Sequence, residues 1–251
     1  MSVRPALEIA VTSPAGARAA RESGADRVEL CTALELGGVT PSAALVEAVA
    51  AEGLPVHVLV RCRPGDFVHD AQELDLMAAE ARSVIASGAA GVVVGALNAD
   101  GTLDVPAVAR LADAARAAGR PVDVTLHRAV DQSADPVATA ALLPSLGLTR
   151  VLTSGGAPAA AEGLATIAAM AAAAPGVEVM AGGGVRLGDI PALAAAGVAS
   201  VHLSAKVRAP RRPGTTWVPM GAGGTSAEQD THFVTDPGVV ARARRALEDL
   251  G

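Results

Sequence analysis

Aromatic residues are nearly missing from this chain: one Trp, two Phe and no Tyr among 251 residues. Nucleic-acid bases stack on aromatic faces, so a base-stacking protein is excluded. Lysine is as scarce. Lys206 is the one lysine, and the other 19 of the 20 basic residues are arginine. Against them stand 26 acidic residues, and the net charge of −6 is spread along the chain. That balance excludes a nucleic-acid or anionic-membrane partner. Cys31 and Cys62 are the only cysteines, too few for a disulfide framework. The N-terminus lacks the apolar stretch of a signal peptide. The most apolar long segment, residues 163–180, is broken by Pro175-Gly176 and reads as a buried helix and strand, with no membrane span expected. A cytoplasmic protein is the resulting expectation.

What is abundant is aliphatic. Hydrophobic residues make up 51% of the chain and 58 residues are alanine, too apolar for disorder. Eight short Val-rich runs stand out: 7–11, 27–31, 56–61, 91–95, 122–127, 150–153, 177–181 and 200–204. Each has the length and composition of a buried parallel strand, with room for one crossover helix before the next. Ser13-Pro14, Thr40-Pro41, Asp135-Pro136 and Asp236-Pro237 read as helix starts, a capping side chain before a proline. Gly24, Gly53, Gly88, Gly119, Gly147, Gly176 and Gly197 read as helix ends.

The joints repeat. Related phrases at 23–28, 87–92, 146–151 and 196–201 introduce the even runs, while the odd runs are entered through sequences such as Gly53-Leu-Pro-Val56. An odd/even alternation over eight strands predicts an α/β fold, a single TIM-type (β/α)8 barrel spanning 1–251. Alanine-rich helices suit it, because alanine loses no side-chain entropy on burial against a barrel.

A barrel enzyme builds its site at the C-terminal ends of the strands. Polar residues gather there, whereas the opposite ends read as mostly Gly, Pro and Ala. Gly182, Gly183 and Gly184 after run seven, with Ser154 and Gly155 after run six, read as an anion site of free backbone amides. Arg63, Arg128 and Ser204 are placed with them as ligand-binding groups. Glu8 and Glu29 are carboxylates inside aliphatic strands and must be paired or protonated. Arg61, at the end of the third strand, reads as their partner. Glu8, Glu29, Arg61, Asp66 and His127 form the expected catalytic set, with His127 at a strand end favoured as proton carrier. His202, inside run eight, and His57, at a strand start, read as structural.

Leu7-Glu-Ile-Ala-Val11, Gly24-Ala-Asp-Arg-Val-Glu-Leu-Cys31, Gly37-Gly-Val-Thr-Pro41, Arg61 with Gly65-Asp-Phe67, His127-Arg-Ala129, Leu152-Thr-Ser-Gly155, Gly182-Gly-Gly-Val185 and Val218-Pro-Met-Gly221 occur in that order. Together they resemble the CutC copper homeostasis family along essentially the whole chain. The resemblance implies a TIM-type barrel, a cytoplasmic setting and a role in copper homeostasis or tolerance, and the first reading is copper(I) binding through Cys31 with a neighbour. Copper(I) prefers thiolate and thioether ligands. Strand parity turns Cys31 inward with Glu29 and Arg61 but Cys62 outward, so the two sulfurs do not share a site unless a bulge breaks the alternation. The alternative is an enzyme that uses the mouth for acid/base chemistry on a small anionic, perhaps phosphorylated, metabolite. No organic cofactor is expected. The segment 206–235 is long for a barrel connection and reads as a lid or a subunit contact, compatible with a homodimer.

Overall fold

The computed structural model describes residues 4–210, 216, 218 and 232–250. Eight parallel strands close into a barrel in chain order: β1 (Ala6–Val11), β2 (Arg27–Leu30), β3 (Val56–Leu59), β4 (Gly91–Val94), β5 (Asp123–Leu126), β6 (Arg150–Thr153), β7 (Glu178–Ala181) and β8 (Ser200–Leu203). β8 pairs back onto β1 and completes the expected (β/α)8 barrel. Several strands end one or two residues before the Val-rich run does. Arg61 and His127 therefore lie just past the ladder, at the mouth.

Helices α1 (Pro14–Glu22), α2 (Ala43–Ala50), α3 (Ala71–Ala86), α4 (Val105–Arg116), α5 (Pro136–Leu142), α6 (Leu164–Ala173), α7 (Ile190–Ala195) and α8 (Pro237–Glu248) follow the strands. Ser13, Asp135 and Asp236 accept from the first backbone N–H groups of α1, α5 and α8, as their prolines imply. Thr40 does not cap. Its hydroxyl bonds Glu80 at 2.7 Å and receives the Arg61 N–H, and Ser42 caps α2 instead. The seven helix-ending glycines all have positive φ. Alanine forms much of the buried helix surface, as at Ala17 and Ala20 of α1 and Ala112 and Ala115 of α4.

The apolar core lies between strands and helices. Inside the barrel the N-terminal half is polar. Arg27 Nε meets Glu8 at 2.7 Å, and its Nη2 meets Glu178 at 2.9 Å and Ser200 at 2.8 Å. Arg150 bonds Glu178 at 2.7 Å, Thr125 at 3.2 Å and His57 Nδ1 at 3.1 Å. His57 Nε2 lies 3.3 Å from Asp123.

Two expectations are corrected by this layer. The strand starts are not bland, because they supply Arg27, Asp123, Arg150 and Glu178. Arg61 is also not the partner of Glu8 or Glu29. It lies beyond the end of β3 and donates to the carbonyls of Gly38 and Gly65, at 3.1 and 2.7 Å. Arg27, directly opposite Glu8 in the β1–β2 ladder, takes that place.

The ends of the 206–235 segment pair as two short antiparallel strands, β9 (Lys206–Arg208) and β10 (Phe233–Thr235). Lys206 Nζ stands 4.5 Å from the Phe233 ring centroid. Trp217 and most of the segment between lie outside the described residues.

Arg27 is the cation that this buried layer can least lose. Removing one partner of a buried ion pair strands the other charge and costs about 3–5 kcal/mol. Equilibrium urea unfolding should show that loss for Arg27→Ala, and a smaller one for the volume-conserving Arg27→Met.

Candidate functional site at the barrel mouth

Above the polar layer, a cavity of about 230 Å³ opens at the C-terminal mouth. Glu29 and His202 reach it from within β2 and β8, and Arg61, Phe67, His127 and Arg128 reach it from strand ends and loops. Leu59, Leu152 and Leu203 supply apolar wall. A wider outer recess shares Arg61, Phe67 and Arg128.

His202 sits between two carboxylates. Its Nδ1 is 2.8 Å from Glu8 Oε1, and its Nε2 is 3.8 Å from Glu29 Oε2. Burial alone would raise the Glu8 carboxyl. The hydrogen bond and charge of His202, with Arg27 and His57, instead hold it well below the usual carboxylate range. Burial would lower the His202 imidazole, but its bond to Glu8 and the charges of both carboxylates raise it. Among the described residues no guanidinium pairs with Glu29. Burial pushes it up to about 7 despite the His202 charge, and Glu8 adds to the rise. Beneath the cavity Glu8, Glu178 and Asp123 pair with Arg27, Arg150 and His202, and at Glu29 burial is the dominant influence.

His127 has the opposite environment to the one expected. Burial, then the charge of Arg61, pushes its imidazole down to about 3. Its Nδ1 accepts from the Ala129 N–H at 3.1 Å, which leaves the proton on Nε2. Nε2 is buried and has no partner among the described residues. His127 therefore presents a neutral Nε2–H, whereas the His202 imidazole is the one raised. Gly95 packs flat against the His127 ring and leaves no room for a Cβ. Phe67 packs tilted against the same ring, centroids 4.7 Å apart.

The loop after β7 is glycine for specific reasons. A Cβ on Gly182 would strike Leu152 and crowd His202, and one on Gly183 would lie 2.7 Å from the Arg128 guanidinium carbon. The Gly182 N–H is not available to a ligand, because it donates to Thr153 O at 2.9 Å in the sheet. Among the described residues, nothing accepts from the Gly183 or Gly184 amide. Arg128 is braced beside them by Asp131 at 2.7 Å and Ser154 Oγ at 2.8 Å.

Other expected site residues lie elsewhere. Ser154 and Gly155 are spent inside their own loop. Ser154 Oγ donates to Ala157 O at 2.6 Å, its N–H donates to Asp131, and the Gly155 N–H donates to Thr153 Oγ1 at 2.8 Å. Arg63 and Asp66 line neither recess. Arg63 pairs with Glu73 and Asp66, and Asp66 is exposed. Glu8 does not line the cavity; it bonds His202 and its charge raises Glu29, both of which do. Ser204 lines it. Cys31 is buried inside the barrel with Leu59 and Val93, whereas Cys62 packs against the outer core, as parity requires. The importance of His202 was readable only through its register with Glu8, which the linear sequence does not display.

Two outcomes follow. Between about 4.5, where an unfolded glutamate loses its proton, and about 7, the folded chain holds more protons at Glu29. Stability therefore falls as pH rises through that window, and the raised His202 adds a loss in the same direction above 6.5. Urea unfolding against pH should show the fall, with a flatter profile in Glu29→Gln. Separately, Gly95→Ala should displace the His127 ring and cost about 1–3 kcal/mol by overpacking.

Comparison with known proteins places the chain. The model of the CutC family matches residues 5–207. A family protein CutC of Klebsiella pneumoniae subsp. pneumoniae is 40% identical over 247 residues, covering 96% of this chain and 97% of that one. Its counterpart in Agrobacterium fabrum is 46% identical over 188 residues, 74% and 73% of the two chains. The crystal structure of CutC from Streptococcus agalactiae, a protein named for copper homeostasis, superposes with a TM-score of 0.72 at 26% identity, over 80% of this chain and 98% of that one. With its closed barrel and matching family model, the chain belongs to the CutC family.

Proposed function

We propose that the chain binds a small anionic metabolite at the barrel mouth and moves a proton on it, with Glu29 and His202 as the acid–base pair. The observation that carries this reading is the floor of the cavity. A carboxyl that keeps its proton to about 7 lies 3.8 Å from an imidazole whose pKa is raised. Groups poised near neutrality in a closed cleft are what proton transfer requires.

The surrounding donors define the ligand. Arg128 and the Gly183 and Gly184 amides would hold a carboxylate or phosphate. His127 Nε2–H is a fixed neutral donor for a carbonyl or hydroxyl oxygen. A buried donor without a partner costs about 1–3 kcal/mol, and a ligand oxygen would relieve that cost. The cavity of about 230 Å³ suits a small molecule. Leu59, Leu152 and Leu203 favour a ligand with a short carbon skeleton. In the reaction, Glu29 would give its proton to the bound molecule and His202 would restore it, while Glu8 and Arg27 fix the His202 ring.

Copper enters through the family. Cys31 by itself does not fit a copper(I) site. Its thiol is pushed up by burial and by Glu29 and Glu35, and it packs between Leu59 and Val93. Copper(I) sites favour several soft ligands, and Cys62 lies on the other side of the strand layer.

A thermal-shift series with phosphate, sulfate and small hydroxy and keto acids tests the proposal. Stabilisation should grow with ligand concentration, as mass action requires. Arg128→Ala should abolish it. Glu29→Gln should keep binding but remove the proton exchange seen by calorimetry in buffers of different ionisation heat. If none of these acids stabilises the chain, the reading fails.

A further inference from the structure

A second group of reactive side chains lies outside the mouth, in the connection from β3 to α3. Cys62 follows Arg61 at the end of β3, His69 precedes α3, and Glu73 is in its first turn. One ligand atom from each, a sulfur, a ring nitrogen and a carboxylate oxygen, lies within 4.8 Å of the other two. A tetrahedral zinc ion, with bonds of about 2.0–2.3 Å, sets its ligand atoms about 3.5 Å apart. Small side-chain rotations would close the difference.

Two features make this more than a chance cluster. Glu73 is pinned. Its side chain accepts from the Asp70 N–H at 3.1 Å, while Asp70 accepts from the Glu73 N–H at 2.8 Å, a reciprocal capping box. His69 is the second. Its side chain is fully buried and its Nδ1 lies 3.3 Å from Glu73 Oε2, yet its Nε2 has no partner among the described residues. Nδ1 is the ring nitrogen turned toward Glu73, so a buried imidazole already presents a ligand atom to the cluster.

We propose that Cys62, His69 and Glu73 form a binding site for a borderline-soft divalent cation of the zinc type, separate from the barrel mouth. The donor set selects the class. A thiolate, an imidazole and a carboxylate suit zinc and its relatives, and the hard carboxylate disfavours copper(I). Three protein ligands leave a fourth position for water or a small ligand. Arg63 is the built-in competitor, since it already pairs with Glu73. It also touches Asp66 at 3.1 Å and the Val68 carbonyl at 2.8 Å, and these keep it placed when the metal enters. A thiol must give up its proton to ligate a metal, so binding tightens as pH rises. A metal here would fasten the loop that carries Phe67 and the Gly65 carbonyl that Arg61 grips, both at the mouth. The site does not depend on what the mouth binds.

Cobalt(II) is the probe, added to the metal-free full-length chain. Wild type should develop a saturable thiolate-to-cobalt charge-transfer band with the visible bands of tetrahedral cobalt, and zinc should displace both. Cys62→Ser and Cys62→Ala should each abolish the charge-transfer band, and His69→Gln should weaken binding at least about tenfold. Cys31→Ser should leave the spectrum unchanged. Circular dichroism identifies any variant that has lost its fold, and the remaining variants decide. No saturable band in wild type, a band that survives loss of the Cys62 sulfur, or a band lost with Cys31 would each overturn the proposal.

Discussion

The barrel depends on the burial of Glu8. A fully buried carboxylate is untenable without cations around it. Arg27 answers it from the neighbouring strand and His202 from the strand that closes the barrel. Arg27 in turn needs Glu178, and Glu178 needs Arg150. The partners come from β1, β2, β6, β7 and β8, so the charges are satisfied only when the sheet is closed. Closure thus becomes a condition on electrostatics as well as on strand pairing. The same chain of dependence sets the protonation of the mouth. The His202 imidazole is raised by its bond to Glu8, and the Glu29 carboxyl is raised because burial outweighs the charge of His202.

Glycine acts at this mouth by subtraction. Gly95 admits the His127 ring, Gly182 admits Leu152 and His202, and Gly183 admits the Arg128 guanidinium. A glycine-rich loop is commonly read as space for a ligand's phosphate. Here much of that space is taken by the chain's own side chains, and among the described residues nothing accepts from the Gly183 and Gly184 amides. Arg128 is then held by Asp131, which also accepts from Thr153, Ser154 and Gly156 and organises the whole turn after β6.

The barrel was legible because its signals are local. Val-rich runs marked the eight strands, and Ser13, Asp135 and Asp236 marked helix starts next to their prolines. Thr40 misled for a nonlocal reason, since its hydroxyl is claimed by Glu80, forty residues away. The polar layer was hidden for the same reason. Arg27 and Glu178 are 151 positions apart and meet only across the closed barrel. At a strand start, such residues look like loop edges. Arg63 and Asp66 look like mouth residues in the sequence, but a capped helix start draws them outward. His127 and His202 were hard to rank because a histidine's role follows from its neighbours' charges, which depend on register.

The scarcity of lysine has a practical side. Lys206 carries the chain's one ε-amino group, and it stands exposed over the Phe233 ring where the two short strands pair. Any reagent or modifying enzyme selective for side-chain amines therefore has a single address. Acylation there would erase a positive charge and its attraction to the ring in one event. A fluorophore attached at that position would report on the β9–β10 pair alone, a spectroscopic handle supplied by composition.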